Sequence, residues 1–278
     1  MQAKKPDSKQ APIRHRMERL IGAVCHGMVE REETVAVALL AALSGQNTFL
    51  YGPPGTAKSL VSRRIASVFE TSAYFEHLMN SFSTPEEVFG PVSLKALKED
   101  RFMRKTEGYL PKAQFAFLDE IWKSGPGILN SLLTLINERT YKNGDQVEQA
   151  PLKALLAASN ETPAPNQGLD ALYDRFIVRL MVPPVTKVEH FEQLLQRRPS
   201  AADVSVPDDA RIQSQEWDAW LEQIQEVTLS PETLTIVRLI REQLTEQKET
   251  LGVYVSDRRW QRAAFLMCAS AFFNGRTA

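Results

Sequence analysis

The chain has 278 residues, of which 43% are hydrophobic and 24% are charged, and its formal net charge is -1. This composition is typical of a globular protein with one large domain, or with one medium and one small domain. The balanced charge excludes bulk electrostatic attraction as a basis for binding nucleic acid or an anionic membrane.

Cysteine content and hydropathy indicate the cellular compartment of the protein. Two cysteines, Cys25 and Cys268, lie at opposite ends of the chain without metal-like spacing, which favours a reducing compartment over a disulfide framework. The charged N-terminal segment has no apolar core behind it, and the longest apolar run, "VAVALLAAL", is far too short to span a bilayer. We therefore expect a cytoplasmic protein without an integral membrane segment.

In chain order, residues 1–12 are typical of a disordered tail, and the next two segments carry a helical pattern. Beyond them, short apolar runs with the length and flanks of buried strands alternate with longer helical stretches. The five runs are "NTFLY", "AYFEHLM", "QFAFLDE", "LKALLAASN" and "RFIVRLMV". Strands that alternate with helices predict a parallel α/β sheet, which we assign to residues 13–197.

The pattern changes again towards the C-terminus. Residues 198–213 have the proline and polar content of a linker, and residues 214–278 predict helices only. Trp217, Trp220 and Ile224 fall at helical spacing, and Ser230 followed by a proline indicates a helix N-terminus. The sequence therefore predicts an α/β domain followed by a small all-α domain.

The stretch "YGPPGTAKSL" follows a predicted strand and precedes a helical pattern, which is the setting of a P-loop. Backbone N–H groups would point at phosphate oxygens, Lys58 would reach the β and γ phosphates, and Ser59 would ligate Mg²⁺. Ala57 stands in place of the last glycine and removes freedom to adopt positive φ. A plain turn is the alternative. The predicted nucleotide-binding residues are Gly52, Pro53, Pro54, Gly55, Thr56, Ala57, Lys58, Ser59 and Leu60.

A second motif, "FAFLDE", is an apolar strand that ends in two carboxylates. Asp119, at the carboxyl end of this strand, would hold Mg²⁺ directly or through water. Glu120 would orient and polarise the attacking water. The alternative is that both residues only cap the next helix.

The order of these motifs resembles a known family. The P-loop, the "LDE" strand, "LLAASNE" and "ALYDRF" together look like an AAA+ ATPase of the MoxR family. "FSTPEEVFGP", "FLDEIWKSGPGILNSLLTLINER" and "YVSDRRW" resemble its RavA subfamily. The likeness runs from about residue 13 to the end and implies a P-loop AAA+ sheet domain with a helical lid. The family commonly has alanine at the position of Ala57.

The resemblance implies three further site residues. Asn160 matches the sensor 1 residue, which hydrogen-bonds the γ-phosphate or the attacking water, although an ordinary cap in "SNETP" is the alternative. Arg175 matches the arginine finger, which reaches the neighbouring subunit's site, although it could instead pair with Asp170 or Asp174. Arg258 matches sensor 2, and the adjacent Arg259 competes for the same role.

Two segments look inserted between the sheet strands. "FGPVSLKALKEDRFMRKTEGYLPKA" resembles the helix-2 insert of the family, and "RTYKNGDQVEQA" predicts a hairpin with an Asn143-Gly144 turn. Both would face a central pore in a ring. Surface decoration is the alternative, and their basic residues are then a solvated face.

The resemblance implies an ATPase that uses ATP and Mg²⁺, releases ADP, and assembles as a homo-hexameric ring. Its implied role is chaperone-like remodelling of a protein substrate together with a partner that carries a von Willebrand factor A domain. In this family the lid continues after the sensor 2 helix, so we expect "FFNGRTA" to end an incomplete lid.

Two other function classes stay open at this stage. Nucleic-acid motors and transcriptional AAA+ ATPases also carry helix-2 inserts, but this insert lacks the "GAFTGA" loop and the net charge is neutral, so we expect no nucleic-acid partner. A nucleotide-gated binding scaffold without turnover would need the P-loop but not Asp119, Glu120 and Asn160.

Overall fold

The computed structural model describes five ranges of the chain, which are residues 11–70, 73–163, 169–196, 206–247 and 254–277. All of the predicted disordered tail except residues 11 and 12 lies outside them. The chain divides into two compact units. The α/β unit is Leu20–Ser214, and the helical unit joins Met1–Arg19 to Gln215–Ala278.

The strands are named in chain order. They are β1 (Asn47–Tyr51), β2 (Phe69–Glu70), β3 (Tyr74–Leu78), β4 (Phe115–Asp119), β5 (Thr140–Asn143), β6 (Gln146–Gln149), β7 (Ala154–Ser159), β8 (Phe176–Met181) and β9 (Ile212–Gln213). Five of them form a parallel sheet in the order β3-β4-β7-β1-β8. Each of the five lies within one of the predicted apolar runs, so the predicted parallel α/β fold is confirmed.

The helices are also named in chain order. They are α1 (Ala11–Cys25), α2 (Glu32–Leu43), α3 (Lys58–Ala66), α4 (Pro85–Phe89), α5 (Leu94–Lys98), α6 (Pro126–Glu138), α7 (Asp170–Tyr173), α8 (Val188–Gln196), α9 (Ser214–Gln225), α10 (Pro231–Glu246) and α11 (Asp257–Phe273). No helix among the described residues is both long and apolar enough to cross a membrane.

In helix α6, the start of the helix and its buried face both follow from the local sequence. Gly125 precedes it and Pro126 takes its first position, where a missing N–H costs no hydrogen bond. Its buried residues are one apolar face at helical spacing, made of Ile128, Leu129, Leu132, Leu135 and Ile136. This face belongs to the same core as the sheet.

The centre of that core is aromatic. The ring of Phe49 on β1 lies 5.4 Å from Trp122, 5.7 Å from Tyr173 and 5.9 Å from Phe176, measured between centroids. Tilted and edge-on pairs at these distances stabilise a core beyond simple burial. These ring contacts hold β1, the strand that leads into the predicted P-loop, on the face where Phe49 lies.

Residues 198–213 were predicted to be a linker, but the part that the structure describes contains secondary structure. Ile212–Gln213 forms β9 and pairs in parallel with β2, and a 3-10 turn at Asp208–Ala210 precedes it. Lys153 Nζ donates to the carbonyl of Ser214 (3.1 Å). Residues 206–214 therefore belong to the α/β unit, and residues 198–205 lie outside the described ranges.

The helical unit contains α9, α10 and α11. Trp217, Trp220 and Ile224 are buried on one face of α9, as their spacing indicates. Arg16 pairs with Glu216 and lies over the ring of Trp220. These contacts explain why residues before Leu20 group with the C-terminal helices, which differs from the predicted boundary at residue 13.

Candidate active site

The predicted P-loop connects β1 to α3 at the carboxyl edge of the sheet. β1 lies between β7 and β8, and ligands of open α/β sheets bind where the strand order changes direction. Gly52 passes so close to the carbonyl of Val182 that a side chain could not fit there. Gly55 adopts φ +81°, which glycine permits without strain.

The backbone conformation of Ala57 differs from the one expected for alanine. It adopts the left-handed region at φ 68° and ψ 24°, although alanine was expected to lack freedom for positive φ. Left-handed backbone at a residue with a Cβ costs on the order of 1–3 kcal/mol and persists only where surrounding contacts hold it. The loop therefore keeps its shape at a cost that a glycine would avoid.

Lys58 is the first residue of α3 and its side chain is buried. Its Nζ donates to the carbonyls of Gly52 (2.7 Å) and Pro53 (2.9 Å), so the ammonium lies inside the loop. Burial lowers the pKa of Lys58, and the carboxylates of Asp119 and Glu120 oppose that shift. The arrangement places a cation inside the predicted phosphate-binding loop.

Ser59 and Asp119 meet although they are sixty positions apart. Ser59 Oγ donates to Asp119 Oδ2 (2.7 Å), and Asp119 Oδ1 accepts from the backbone N–H of Glu120 (3.0 Å). Asp119 ends β4 and Ser59 lies in the first turn of α3. The structure thus brings together the two residues predicted to ligate Mg²⁺.

Glu120 follows directly, with a left-handed backbone at φ 51°. Its Oε2 lies 3.3 Å from Ser159 Oγ, which is buried, and 3.3 Å from Lys123 Nζ. Glu120 precedes a 3-10 turn, and its side chain makes no cap bond to that turn. Sequence analysis missed Ser159. Its only signal is a hydroxyl at the carboxyl end of the apolar strand "LLAAS".

Asn160 lies at the same edge, one residue beyond the end of β7, and its side chain is exposed. The adjacent strands β7 and β1 end together, because Ser159 pairs with Tyr51 and its carbonyl accepts from the N–H of Gly52 (3.3 Å). Asn160 therefore follows β7 beside the first residue of the P-loop.

Arg175 lies at the opposite edge of the sheet. It immediately precedes β8, whose start pairs with the start of β1, whereas the P-loop follows the end of β1, about 16 Å away along a five-residue strand. Its Nε donates to Asn137 Oδ1 (2.9 Å) and its Nη1 donates to the carbonyl of Ala171 (2.8 Å). Asp174 Oδ2 lies 3.9 Å from Nη1, at the limit of an ion pair.

Arg258 and Arg259 lie in the first turn of α11, in the helical unit. Ser256 caps this helix by accepting from the N–H of Arg259 (3.3 Å). The Arg258 side chain is exposed and that of Arg259 is half-buried. The assignment of sensor 2 to one of them stays a prediction.

The two predicted insertions are joined. Asn143 Nδ2 donates to the carbonyl of Arg104 (3.1 Å), and Asn143 Oδ1 accepts from the N–H of Arg104 (2.7 Å). Asn143 is the last residue of β5 and pairs with Gln146, so the turn consists of Gly144 and Asp145 and not of Asn143 and Gly144. The hairpin and the insert therefore form one surface of the α/β unit.

Comparison with known proteins agrees with this geometry. Residues 15–222 match the family model described as "MoxR domain in the MoxR-vWA-beta-propeller ternary systems". The chain belongs to the MoxR family of AAA+ ATPases. Residues 232–278 of this MoxR chain match the model of an AAA lid domain.

Three relatives are similar in sequence. The uncharacterised proteins MJ0079 and MJ0812 of Methanocaldococcus jannaschii are 38% and 39% identical to the MoxR chain over 265 and 249 residues. These matches cover 95% and 89% of this chain but 67% and 64% of the relatives, so the chain spans about two thirds of their length. The structural protein ORF618 of Acidianus two-tailed virus is 30% identical over 165 residues, which are 58% of this chain and 27% of that protein.

Solved structures share the fold of this chain. The crystal structure of a candidate ATPase from Cytophaga hutchinsonii has a TM-score of 0.72 to the MoxR chain and covers 97% of this chain and 83% of its own. The two sequences are 21% identical, so the likeness concerns the fold. It agrees with a parallel sheet followed by a helical lid.

Proposed function

We propose that this MoxR chain hydrolyses Mg-ATP to ADP and phosphate. The observation that carries the proposal is the 2.7 Å bond between Ser59 and Asp119, with Lys58 and Glu120 next to them in the chain. A P-loop lysine, a hydroxyl, a strand-end aspartate and an adjacent glutamate are the parts that ATP hydrolysis on this fold requires.

The oxygen atoms of Ser59 and Asp119 fit Mg²⁺, because this ion prefers hard oxygen ligands and retains water in the rest of its shell. Their separation of 2.7 Å supports a shared position for both ligands. When bound, Mg²⁺ neutralises charge on the transferring phosphoryl group.

The remaining groups act on the phosphate and on water. Lys58 would exchange its bonds to the Gly52 and Pro53 carbonyls for bonds to the β and γ phosphate oxygens. Glu120 would accept a proton from the attacking water, and Asn160 would hydrogen-bond that water or the γ-phosphate.

The position of Arg175 supports action between subunits. It lies at the sheet edge opposite the P-loop, so it would serve the site of a neighbouring copy in a homo-oligomeric ring, for which we propose a hexamer. We propose the sensor 2 role for Arg258, or for Arg259 in its place. The ring would be assembled and active in the cytoplasm.

For the biological role, we propose chaperone-like remodelling of a protein substrate. The family model names ternary systems of MoxR, von Willebrand factor A and beta-propeller proteins, which supports a partner with a von Willebrand factor A domain. Assignment to the RavA subfamily rests on "FSTPEEVFGP" and "YVSDRRW". The proposed substrate-facing surface is the joined insert and hairpin, where Leu94, Phe102 and Val147 are exposed.

The first test is phosphate release from Mg-ATP across a range of protein concentrations, with mass photometry on the same samples. Wild type is compared with Lys58→Ala, and Arg63→Gln is the matched control on the same helix, because Arg63 makes an exposed pair with Glu76. We expect activity per subunit to rise with concentration, to disappear in Lys58→Ala, and to persist in Arg63→Gln.

Two results would contradict the proposal. Equal activity in Lys58→Ala and wild type would mean that the phosphate comes from a contaminant or from another site. Full activity in a monomer would refute the ring, although it would leave hydrolysis at this site standing.

A further inference from the structure

Two adjacent side chains in the loop between α1 and α2 connect three distant parts of the α/β unit. Glu30 and Arg31 belong to none of the motifs above. Glu30 has a left-handed backbone, at φ 55°, and the two side chains contact different segments. Arg31 is buried, with 4% of its surface exposed.

The Arg31 guanidinium donates three hydrogen bonds to backbone carbonyls. Nε donates to Thr56 (3.1 Å), Nη1 to Glu30 (2.6 Å) and Nη2 to Pro183 (2.7 Å). Burial lowers the pKa of Arg31, but a guanidinium stays protonated in proteins. The side chain thus links the P-loop, its own loop and the segment after β8 with a rigid, charged fork.

The bond to Thr56 fixes the orientation of one peptide group in the P-loop. No peptide bond among the described residues is cis, and in a trans peptide the C=O and the following N–H point in opposite directions. Because Arg31 holds the Thr56 carbonyl on one side, the N–H of Ala57 faces the other. Backbone N–H groups of such loops form the anion cradle.

We propose that Arg31 is a positioning residue for phosphate: it holds the Thr56–Ala57 peptide in the orientation that binds an anion. It does so where Ala57 adopts the left-handed conformation that alanine disfavours. The bond from Arg31 to the Thr56 carbonyl stabilises a backbone conformation that a glycine would adopt without strain. This inference rests on the proposed nucleotide binding and deepens it.

Glu30 contacts a different segment from Arg31, so a substitution of Glu30 is a matched control for a substitution of Arg31. Its carboxylate accepts from the N–H groups of Thr186 (2.9 Å) and Lys187 (2.9 Å), from the Thr186 hydroxyl (3.0 Å), and contacts His190 Nδ1 (2.9 Å). These partners precede or begin α8, and none belongs to the P-loop. Glu30 therefore caps a helix, whereas Arg31 supports the loop.

The test measures the Kd of a fluorescent ADP analogue with Mg²⁺ for wild type, Arg31→Gln, Glu30→Gln, Ala57→Gly and the double variant Arg31→Gln with Ala57→Gly. We expect Arg31→Gln to raise Kd about tenfold, which equals about 1.4 kcal/mol. Glu30→Gln should stay within about twofold of wild type, and Ala57→Gly is the background against which the double variant is compared. The double variant should lie within about threefold of Ala57→Gly, because glycine adopts the left-handed conformation without the strain that the Arg31 bond offsets in alanine.

Because Ala57→Gly also removes strain at a left-handed residue, urea unfolding of the same variants is measured beside Kd. A raised Kd in Arg31→Gln protein that is still fully folded separates positioning from general stability. If Arg31→Gln does not fold, Arg31→Lys carries the same comparison. Lysine keeps the charge but lacks the fork that spans three carbonyls, so we expect a rise of about threefold that Ala57→Gly removes.

Two outcomes would overturn the inference alone: an unchanged Kd in Arg31→Gln, or a double variant as weak as Arg31→Gln. Absence of binding by folded wild type would overturn both the inference and the proposed function. The wild-type titration therefore distinguishes the two failures.

Discussion

The two edges of one parallel sheet carry different chemistry. At the carboxyl edge, Ser59 donates to Asp119, Asp119 accepts from the N–H of Glu120, and Lys58 donates to the carbonyl of Gly52, all within a single chain. At the amino edge, Arg175 contacts Asn137 and the carbonyl of Ala171, about 16 Å from the P-loop along β1. One chain thus holds the proposed phosphate-binding residues together by itself, but its candidate arginine finger lies at the other edge of the sheet.

After loss of Lys58, the largest fall in turnover is expected for a change at the carboxyl edge. Glu120→Gln removes the proposed base while keeping the side-chain size and a partner for Ser159 Oγ. We expect kcat for phosphate release to fall by about 10²–10⁴-fold. The Kd for ATP should stay within about threefold of wild type, and loss of binding with loss of turnover would assign Glu120 to binding instead.

The next largest fall in kcat is expected for a substitution at the amino edge of the sheet. Arg175→Ala should lower kcat by about 10²–10³-fold, because one cationic donor to the transition state is lost. Mixing Arg175→Ala with Glu120→Gln subunits should restore activity, since the second protein can donate its Arg175 to intact sites of the first.

The control for this mixing experiment is the double variant Arg175→Ala with Glu120→Gln, which has no finger to donate. It should restore nothing when added to Arg175→Ala subunits. Equal restoration by both mixtures would show that Arg175 does not act between subunits.

A smaller effect is expected at the residue that sequence analysis missed. Ser159→Ala removes the hydroxyl that lies 3.3 Å from Glu120 Oε2 and accepts from the N–H of Glu161 (3.2 Å). One such bond contributes about 1 kcal/mol, so kcat should fall about fivefold. Ser131→Ala is the matched control, because its exposed hydroxyl bonds only within α6, to Gly127. A kcat equal to that of the control would remove Ser159 from the site.

The smallest effect concerns pH and the cap of α8. Backbone N–H bonds from Lys187 and Thr186 lower the pKa of Glu30 from 4.5 to about 2. Since the folded-state pKa lies below the unfolded value, the stabilisation is fully present above about pH 4.5 and is lost as pH falls towards 2.

Urea unfolding of wild type and Glu30→Gln between pH 7 and pH 3 checks this prediction. The stability difference should stay constant down to about pH 5 and shrink at lower pH. A difference that grows on acidification would contradict the assigned cap.

Much of the architecture was predictable because its signals are local. Apolar runs of strand length gave all five strands of the sheet, and the P-loop spacing gave the position of the turn between β1 and α3. Asp119 was predictable at the carboxyl end of its strand, and Asn160 was identified through the family resemblance. The hairpin was predictable from Gly144, although its turn lies one residue later than expected.

Sequence patterns were therefore sufficient to predict the class of the fold, the edge that holds the candidate site and the family. Three features depend on the folded chain: Ala57 is left-handed, Ser159 contacts Glu120, and Arg31 reaches both Thr56 and Pro183. They were not predictable because the residues that make these contacts are far apart along the chain. Arg31 lies 25 positions from Thr56 and 152 from Pro183, and no local pattern records contacts that form only when the sheet has assembled.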